Sequence, residues 1–189
     1  FDFTNPWAVV DSTEISYPYL QNNSQSPAPG LEQAPPYAGG DGSESNPYEI
    51  ANWYHLNNTR DNLDKNFVLV NDLNESTTAY DDVASETANG GNGFAPIGND
   101  ATEFTGSFNG SGYTISNLTI SRSSTVGVGL FGYTGSDAVI ERVGLENVDI
   151  RGDMYIGGVV GYNKGTVTES YANGSVTNNG DYVGGVAGY

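Results

Sequence analysis

A near-identical repeat constrains this chain more than any other feature. Tyr155–Tyr162 reads YIGGVVGY and Tyr182–Tyr189 reads YVGGVAGY, 27 residues further on. A looser copy, VGVGLFGY, spans Val126–Tyr133, its last Tyr 29 residues before Tyr162. Between the copies lie VIERVGLENVDI (Val139–Ile150) and TVTESYANGSV (Thr166–Val176), and ahead of them YTISNLTI (Tyr113–Ile120). Each repeat therefore holds short runs in which Val, Ile, Leu or Tyr alternate with polar residues, broken by Asn, Gly and Ser. That is a strand pattern with turn punctuation, and no run fits an amphipathic helix. One repeat of this size cannot bury its own apolar face, whereas a stack of them can. Coils stacked about 4.8 Å apart bring like residues into ladders. The spacing predicts one ladder through Tyr133, Tyr162 and Tyr189. It also predicts a corner at Gly157–Gly158 and Gly184–Gly185, where a side chain would collide.

Composition removes several kinds of chemistry. The chain carries 23 Asp and Glu against six Lys and Arg, a net charge of −17, and its only lysines are Lys65 and Lys164. A phosphate-binding surface needs clustered Lys and Arg, so nucleic acid is not an expected partner. An acidic, lysine-poor surface suits a high-salt habitat, and equally an acidic secreted protein. Without cysteine there is no disulfide scaffold, zinc–thiolate site or thiol nucleophile. The first residue is Phe1, which reads as a processed chain or a slice of a longer one. No signal peptide or apolar run of spanning length occurs, so no membrane span is expected in this segment.

Three regions are expected. Phe1–Leu20, FDFTNPWAVVDSTEISYPYL, precedes a Pro- and Gly-rich stretch, residues 21–45, which reads as a flexible linker. Residues 46–189 form the stack. Its start has a short strand at Pro47–Ile50 and then a capping helix from Trp53 to about Arg60. Asn52 is the N-cap, and Trp53 and Leu56, with Tyr54 beside them, are expected to face inward. Asn66–Val70 returns to strand, and Asn71–Asn92, with little apolar pattern, reads as a surface loop. A cap is needed because a bare end of a stack exposes apolar surface and unpaired strand groups.

The GGVVG and GGVAG motifs with ESYANGSV between them resemble the GLUG repeat of bacterial and archaeal surface proteins. Phe94–Tyr133 and Asn46–Asn74 are similar to the lead-in of the same domains. The resemblance implies an all-β parallel β-solenoid (β-helix) with a role in adhesion or display at the cell surface, outside the cell. The repeat has no catalytic residues of its own, so it implies no enzyme. Phe1–Leu20 is similar to the unit that closes such a stack, yet here it comes first. Two readings of that order stand side by side, beside that of an arbitrary boundary. Phe1–Leu20 closes the preceding module of a tandem array, or it covers the open end of a separate copy, joining copies head to tail. Either makes Phe1, Phe3, Trp7, Val9, Tyr17 and Tyr19 one half of an assembly contact, with Tyr182, Val183, Val186 and Tyr189 as the other half.

Candidates for chemistry are few. His55 is the only histidine, and in the cap helix it reads as a surface residue, so neither a Ser-His-Asp triad nor a histidine zinc site is expected. Asp81–Asp82, Asp149 with Asp153, and Asp72 with Glu75 are the carboxylate pairs weighed for polysaccharide cleavage. Nothing in their spacing requires two carboxyls about 5 to 9.5 Å apart across one bond. No metal site or cofactor is expected. Calcium at the loop carboxylates of Asn71–Ser76 or Ala79–Glu86 is the one alternative. Aromatics at repeat spacing read as ladder residues, with binding of surface glycans as the rival reading. Six N-x-S/T sequons, at Asn22, Asn57, Asn74, Asn109, Asn117 and Asn173, are candidate glycosylation sites if the chain is exported. Asn22 and Asn74 are the more accessible by position, and Asn117 sits in a run that could pack into a ladder.

Overall fold

Strands dominate, and every pair of named strands is parallel. The computed structural model describes residues 35–178 and 180–189. The expectations placed on Phe1–Leu20, and on residues 21–34, lie outside the described residues. In chain order the strands are β1 Tyr48–Ile50, β2 Asn66–Leu69, β3 Ser107–Asn109, β4 Thr114–Ser116, β5 Thr119–Ser121 and β6 Phe131–Thr134. They continue with β7 Val139–Glu141, β8 Gly144–Gly152, β9 Ile156–Gly157, β10 Val160–Asn163, β11 Thr166–Thr168, β12 Tyr171–Asn178 and β13 Val183–Gly184. Among the described residues three short α-helices, α1 Trp53–Asn58, α2 Tyr80–Val83 and α3 Ala88–Gly91, and a 3-10 helix at Thr59–Asp61 interrupt them.

The strands fall into parallel sheets that the chain revisits in the same order. A five-stranded sheet runs β1-β2-β3-β7-β11. A second runs β12-β8-β4, with β5 also pairing β8. The third region holds two pairs, β10-β6 and β13-β9. In the repeat region the register follows the sequence period. Thr166 pairs with Val139, Tyr171 with Gly144 and Val183 with Ile156, each 27 residues apart. A register shift between Ala172 and Gly174 lets Asn147 remain outside the ladder. The bulge is where the backbone turns, with Asn147 at φ 52° and Gly174 at φ 142°. Gly174 has no alternative, since a Cβ there would lie 2.3 Å from the Val148 carbonyl oxygen.

Period-two alternation sends one residue in two inward. Phe67, Phe108 and Ile140 form one buried column across β2, β3 and β7. Ile115 with Leu145, and Ile120 with Ile150, form two more across the second sheet. Ile97, Phe131 and Val160 line up in the third region. Each fully buried side chain of this size contributes about 1.5–3 kcal/mol of apolar burial.

The β1 end of the five-stranded sheet is covered. Asn52 caps α1 as expected, its Oδ1 accepting from the His55 N–H at 3.0 Å. Trp53 and Leu56 are fully buried, and Tyr54 points outward instead, 45% exposed. His55 is buried, at 7% exposure, not a surface residue. The turn of helix carries its ring back over the chain, where Nδ1 accepts from the Ala51 N–H at 3.2 Å. The stretch Asn71–Asn92 is also more than a surface loop. It contains α2 and α3 and buries Leu73, Val83, Ala84 and Ala88. These apolar residues are too widely spaced to show a period. Their environment comes from tertiary contact, including Tyr80 against Trp53 with ring centroids 5.8 Å apart. The end of the stretch read as linker is likewise held in place. Tyr37 is buried, stacks on Tyr48 at 4.1 Å and donates to the Asn58 carbonyl at 2.7 Å. Ala38 N–H donates to Glu49 O, and Glu49 N–H to Gly39 O, both at 2.9 Å, so this segment covers the free side of β1.

Candidate assembly surface

The opposite end of the sheets has no such cover among the described residues. β11, β12 and β13 each lie last in their sheets. Residues one register step earlier are fully buried where their counterparts here are not. Ile140, Leu145 and Ile150 have 0% exposure, whereas Val167, Ala172 and Val176 are half-buried. Ile156 is at 0% and its partner Val183 at 46%. Of the residues expected here as assembly contacts, Tyr182 (52%), Val183 and Tyr189 (58%) are exposed and Val186 is partly buried against the core. Phe1, Phe3, Trp7, Val9, Tyr17, Tyr19 and Asn22 lie outside the described residues.

The expected tyrosine ladder runs up to this end. Tyr133 and Tyr162 stack with centroids 5.4 Å apart, and Tyr162 and Tyr189 at 4.9 Å. A second column, missed in the sequence, stands beside it: Tyr155 and Tyr182 stack at 5.1 Å. The two columns meet edge to face, Tyr155 on Tyr162 at 5.1 Å and Tyr182 on Tyr189 at 5.7 Å. The signal was present, since Tyr155 and Tyr182 open the two repeats just as Tyr162 and Tyr189 close them. Most faces in these columns are occupied by other rings. The terminal rings, Tyr182 and Tyr189, are the more exposed ones. Burial pushes the Tyr133 phenol above its ordinary value, and the charge of Asp100 adds to the effect.

The glycine corner is real in its sterics. A Cβ at Gly157 would meet the Val160 carbonyl oxygen at 2.1 Å, and one at Gly184 the Ala187 oxygen at 1.8 Å. At Gly158 it would meet Ala172 Cβ at 2.3 Å and the Gly185 carbonyl oxygen at 2.5 Å. Gly185 alone of the four has open space. The contacts that crowd Gly158 come from one register step later, and among the described residues nothing lies within 4 Å of a Cβ at Gly185.

One carboxylate of each weighed pair has a structural partner. Asp72 Oδ1 accepts from the Thr114 N–H at 2.8 Å, Asp82 from the Tyr54 hydroxyl at 3.0 Å, and Asp149 pairs with Arg151 at 2.9 Å. Among the described residues no group of three or more His, Asp or Glu side chains converges on one point. The most buried cation, Arg60, spans the side of the stack. It donates from Nε to Ala95 O at 3.1 Å and from Nη1 to Asn57 O at 2.9 Å, with its guanidinium 4.7 Å from the Phe94 ring. Burial, aided by the charge of Arg122, pushes its pKa down to about 10.

Parallel sheets with a ladder period, and a final edge that no described residue covers, define a repetitive, strand-built architecture. The chain is similar to halomucin of Haloquadratum walsbyi, 40% identical over 153 residues, which cover 79% of this chain and 2% of halomucin. It is also similar to a protein of Evansella cellulosilytica described as a Gly-rich membrane protein, 35% identical over 136 residues, covering 69% of this chain and 15% of that protein. The chain thus spans a small part of the curated relatives it matches. No protein-family profile matches it, and no solved structure does. Among the described residues no helix is long and apolar enough to cross a membrane.

Proposed function

We propose that this chain is a non-catalytic parallel β-solenoid of the GLUG type. In this reading it is extracellular, at the surface of a halophilic cell, and is a repeating unit joined head to tail in a filament or adhesin stalk. The observation that carries the reading is the 27-residue register, which stacks Tyr162 on Tyr189 and ends on three strands paired on one side only among the described residues. Parallel hydrogen bonds along such a stack resist shear, and the plan lengthens by duplication. The similarity to halomucin, whose source is a halophile by its name, and the net charge of −17 support the surface and the habitat. The partner is another copy of this chain or a further module of the same one, Phe1–Leu20 being the donor.

The test is the mass of the native protein. A denatured mass near 20.0 kDa with a far larger native particle by light scattering is the outcome for separate copies. A denatured mass many times larger is the outcome for tandem modules. A native particle that is monomeric at 20.0 kDa sinks the head-to-tail reading. Deleting Phe1–Leu20 should leave residues 36–189 folded and stop growth; a truncated chain that still polymerises rules out strand donation by that segment. The exposed rings of Tyr171, Tyr182 and Tyr189 favour one further reading, a glycan-binding surface. Glycan-array binding lost in Tyr182→Ala and Tyr189→Ala would establish it.

A further inference from the structure

Five described sequons are equal as sequence, and the fold makes them unequal. An N-glycan acceptor needs the hydroxyl two residues on to be exposed and to lie against its own carboxamide, where the transferring enzyme can reach both. Asn57 has neither. Its Oδ1 is held by Arg60, and Thr59 is fully buried with its hydroxyl donating to Leu56 O at 2.7 Å. Asn117 is committed as well. It sits at φ 61° with its Oδ1 bonded to the Asn147 side-chain amide one step along the ladder, and the Tyr80 hydroxyl donates to its carbonyl at 2.9 Å.

Asn74 and Asn109 share a different geometry. Asn74 Oδ1 accepts from the Ser76 N–H at 2.9 Å and from the Ser76 hydroxyl at 2.7 Å. Asn109 Oδ1 accepts from the Ser111 N–H at 2.8 Å and the Ser111 hydroxyl at 3.3 Å. In both, the serine of the sequon is exposed and lies against the carboxamide, and Nδ2 makes no hydrogen bond to a described residue. Asn109 is the last residue of β3, paired with Val68 and Glu141, and the turn that follows it is exposed at Ser111, Gly112 and Tyr113, with open space around Gly112. Asn173 is the internal control, since it and Ser175 are exposed but lie in β12 beside its bulge, with no bond between the serine and the carboxamide among the described residues.

We propose that Asn74 and Asn109 are the N-glycan acceptors of the described residues and that Asn57 and Asn117 are not. The co-reactant is a lipid-linked glycosyl phosphate. A bond forms between Nδ2 and the anomeric carbon of the sugar, the anomeric carbon–oxygen bond to phosphate breaks, and the lipid phosphate leaves while Nδ2 gives up one proton. Asn74 follows β2 and Asn109 ends β3, so neither sits on the final-edge strands β11, β12 and β13.

The inference rests on the chain being exported, which surface proteolysis of intact cells tests separately. The deciding experiment is glycopeptide mass spectrometry of the full-length protein from its own cells, beside the variants Asn57→Gln, Asn74→Gln, Asn109→Gln and Asn117→Gln. Near-complete occupancy at Asn74 and Asn109, removed one site at a time by their own variants, is the expected result, with none at Asn57 or Asn117. Occupancy at Asn57 or Asn117 equal to that at Asn74 and Asn109 overturns the proposal. So does Asn173 glycosylated while Asn74 and Asn109 are bare, because exposure alone would then select the site. A protein released by shaving cells yet bare at every sequon ends the proposal and leaves the surface reading standing.

Discussion

At the scale of single residues the glycine corner gives a matched pair of tests. Gly158 and Gly185 occupy the same place in successive repeats, but a Cβ at Gly158 would lie 2.5 Å from the Gly185 carbonyl and 2.3 Å from Ala172 Cβ, while Gly185 has nothing near it. Gly158→Ala should cost about 1–3 kcal/mol, the scale of overpacking in a close-packed interior. Gly185→Ala should stay within about 0.5 kcal/mol of wild type, as for a surface site. Urea unfolding of the two variants compares them directly, and equal losses would mean the corner is not what crowds Gly158. Tyrosines give the pH dependence. Burial pushes the Tyr37, Tyr80 and Tyr133 phenols above the ordinary 10.0, opposed at Tyr37 by the Asn62 hydrogen bond and reinforced at Tyr80 by Glu75. The folded state then holds these protons longer than the unfolded chain. Their stabilisation is complete below pH 10.0 and is lost as pH rises through the higher folded values. Phenolate absorbance should therefore show a late-titrating class, and unfolding should become easier above that pH. Titration of all tyrosines together at the ordinary value would contradict it.

The cap is where elements matter most. α1 has only six residues, too short to persist by itself, so its stability comes from what it buries. Trp53 is fully enclosed and donates from Nε1 to the Asn74 carbonyl at 3.0 Å, tying the helix to the segment before α2. Trp53→Ala should cost about 3–5 kcal/mol, and Asn52→Ala about 1 kcal/mol through loss of the N-cap. Thermal unfolding would rank them, and an Asn52 effect as large as that of Trp53 would shift the weight from packing to capping. The same elements show what the sequence made legible. The Asn52 cap, the inward Trp53 and the 27-residue ladder follow from local chemistry and spacing, so they were readable. α2, α3 and the burial of Leu73, Val83, Ala84 and Ala88 were not, because scattered apolar residues have no period until a neighbouring sheet gives them a face. His55 misled for a related reason: a polar ring on a short helix looks solvated unless the backbone N–H of Ala51 is known to lie within reach. Among the sequons, position singled out Asn74 but separated Asn109 in no way from Asn57. Only the turns that set Ser76 and Ser111 against their asparagines separate them.

For the whole molecule the question is what the final edge does. β11, β12 and β13 leave backbone donors and acceptors along three sheets unpaired within the described residues, and Val183 half in solvent. An edge of this length is a template for pairing. If another unit continues the proposed stack with the same register, its chain passes over Gly185 as Gly185 passes over Gly158. The small change Gly185→Ala then gains a second meaning. It should leave the stability of the isolated chain unchanged, because nothing lies within 4 Å. It should weaken head-to-tail growth, because the new methyl would stand where the next carbonyl must sit. A penalty of about 1.4 kcal/mol per contact is a tenfold loss of affinity, so the critical concentration for assembly should rise at least about tenfold. Light scattering across a dilution series reads this out. If Gly185→Ala assembles at the wild-type concentration, whatever covers the final edge does not follow the ladder, and the contact between units lies elsewhere.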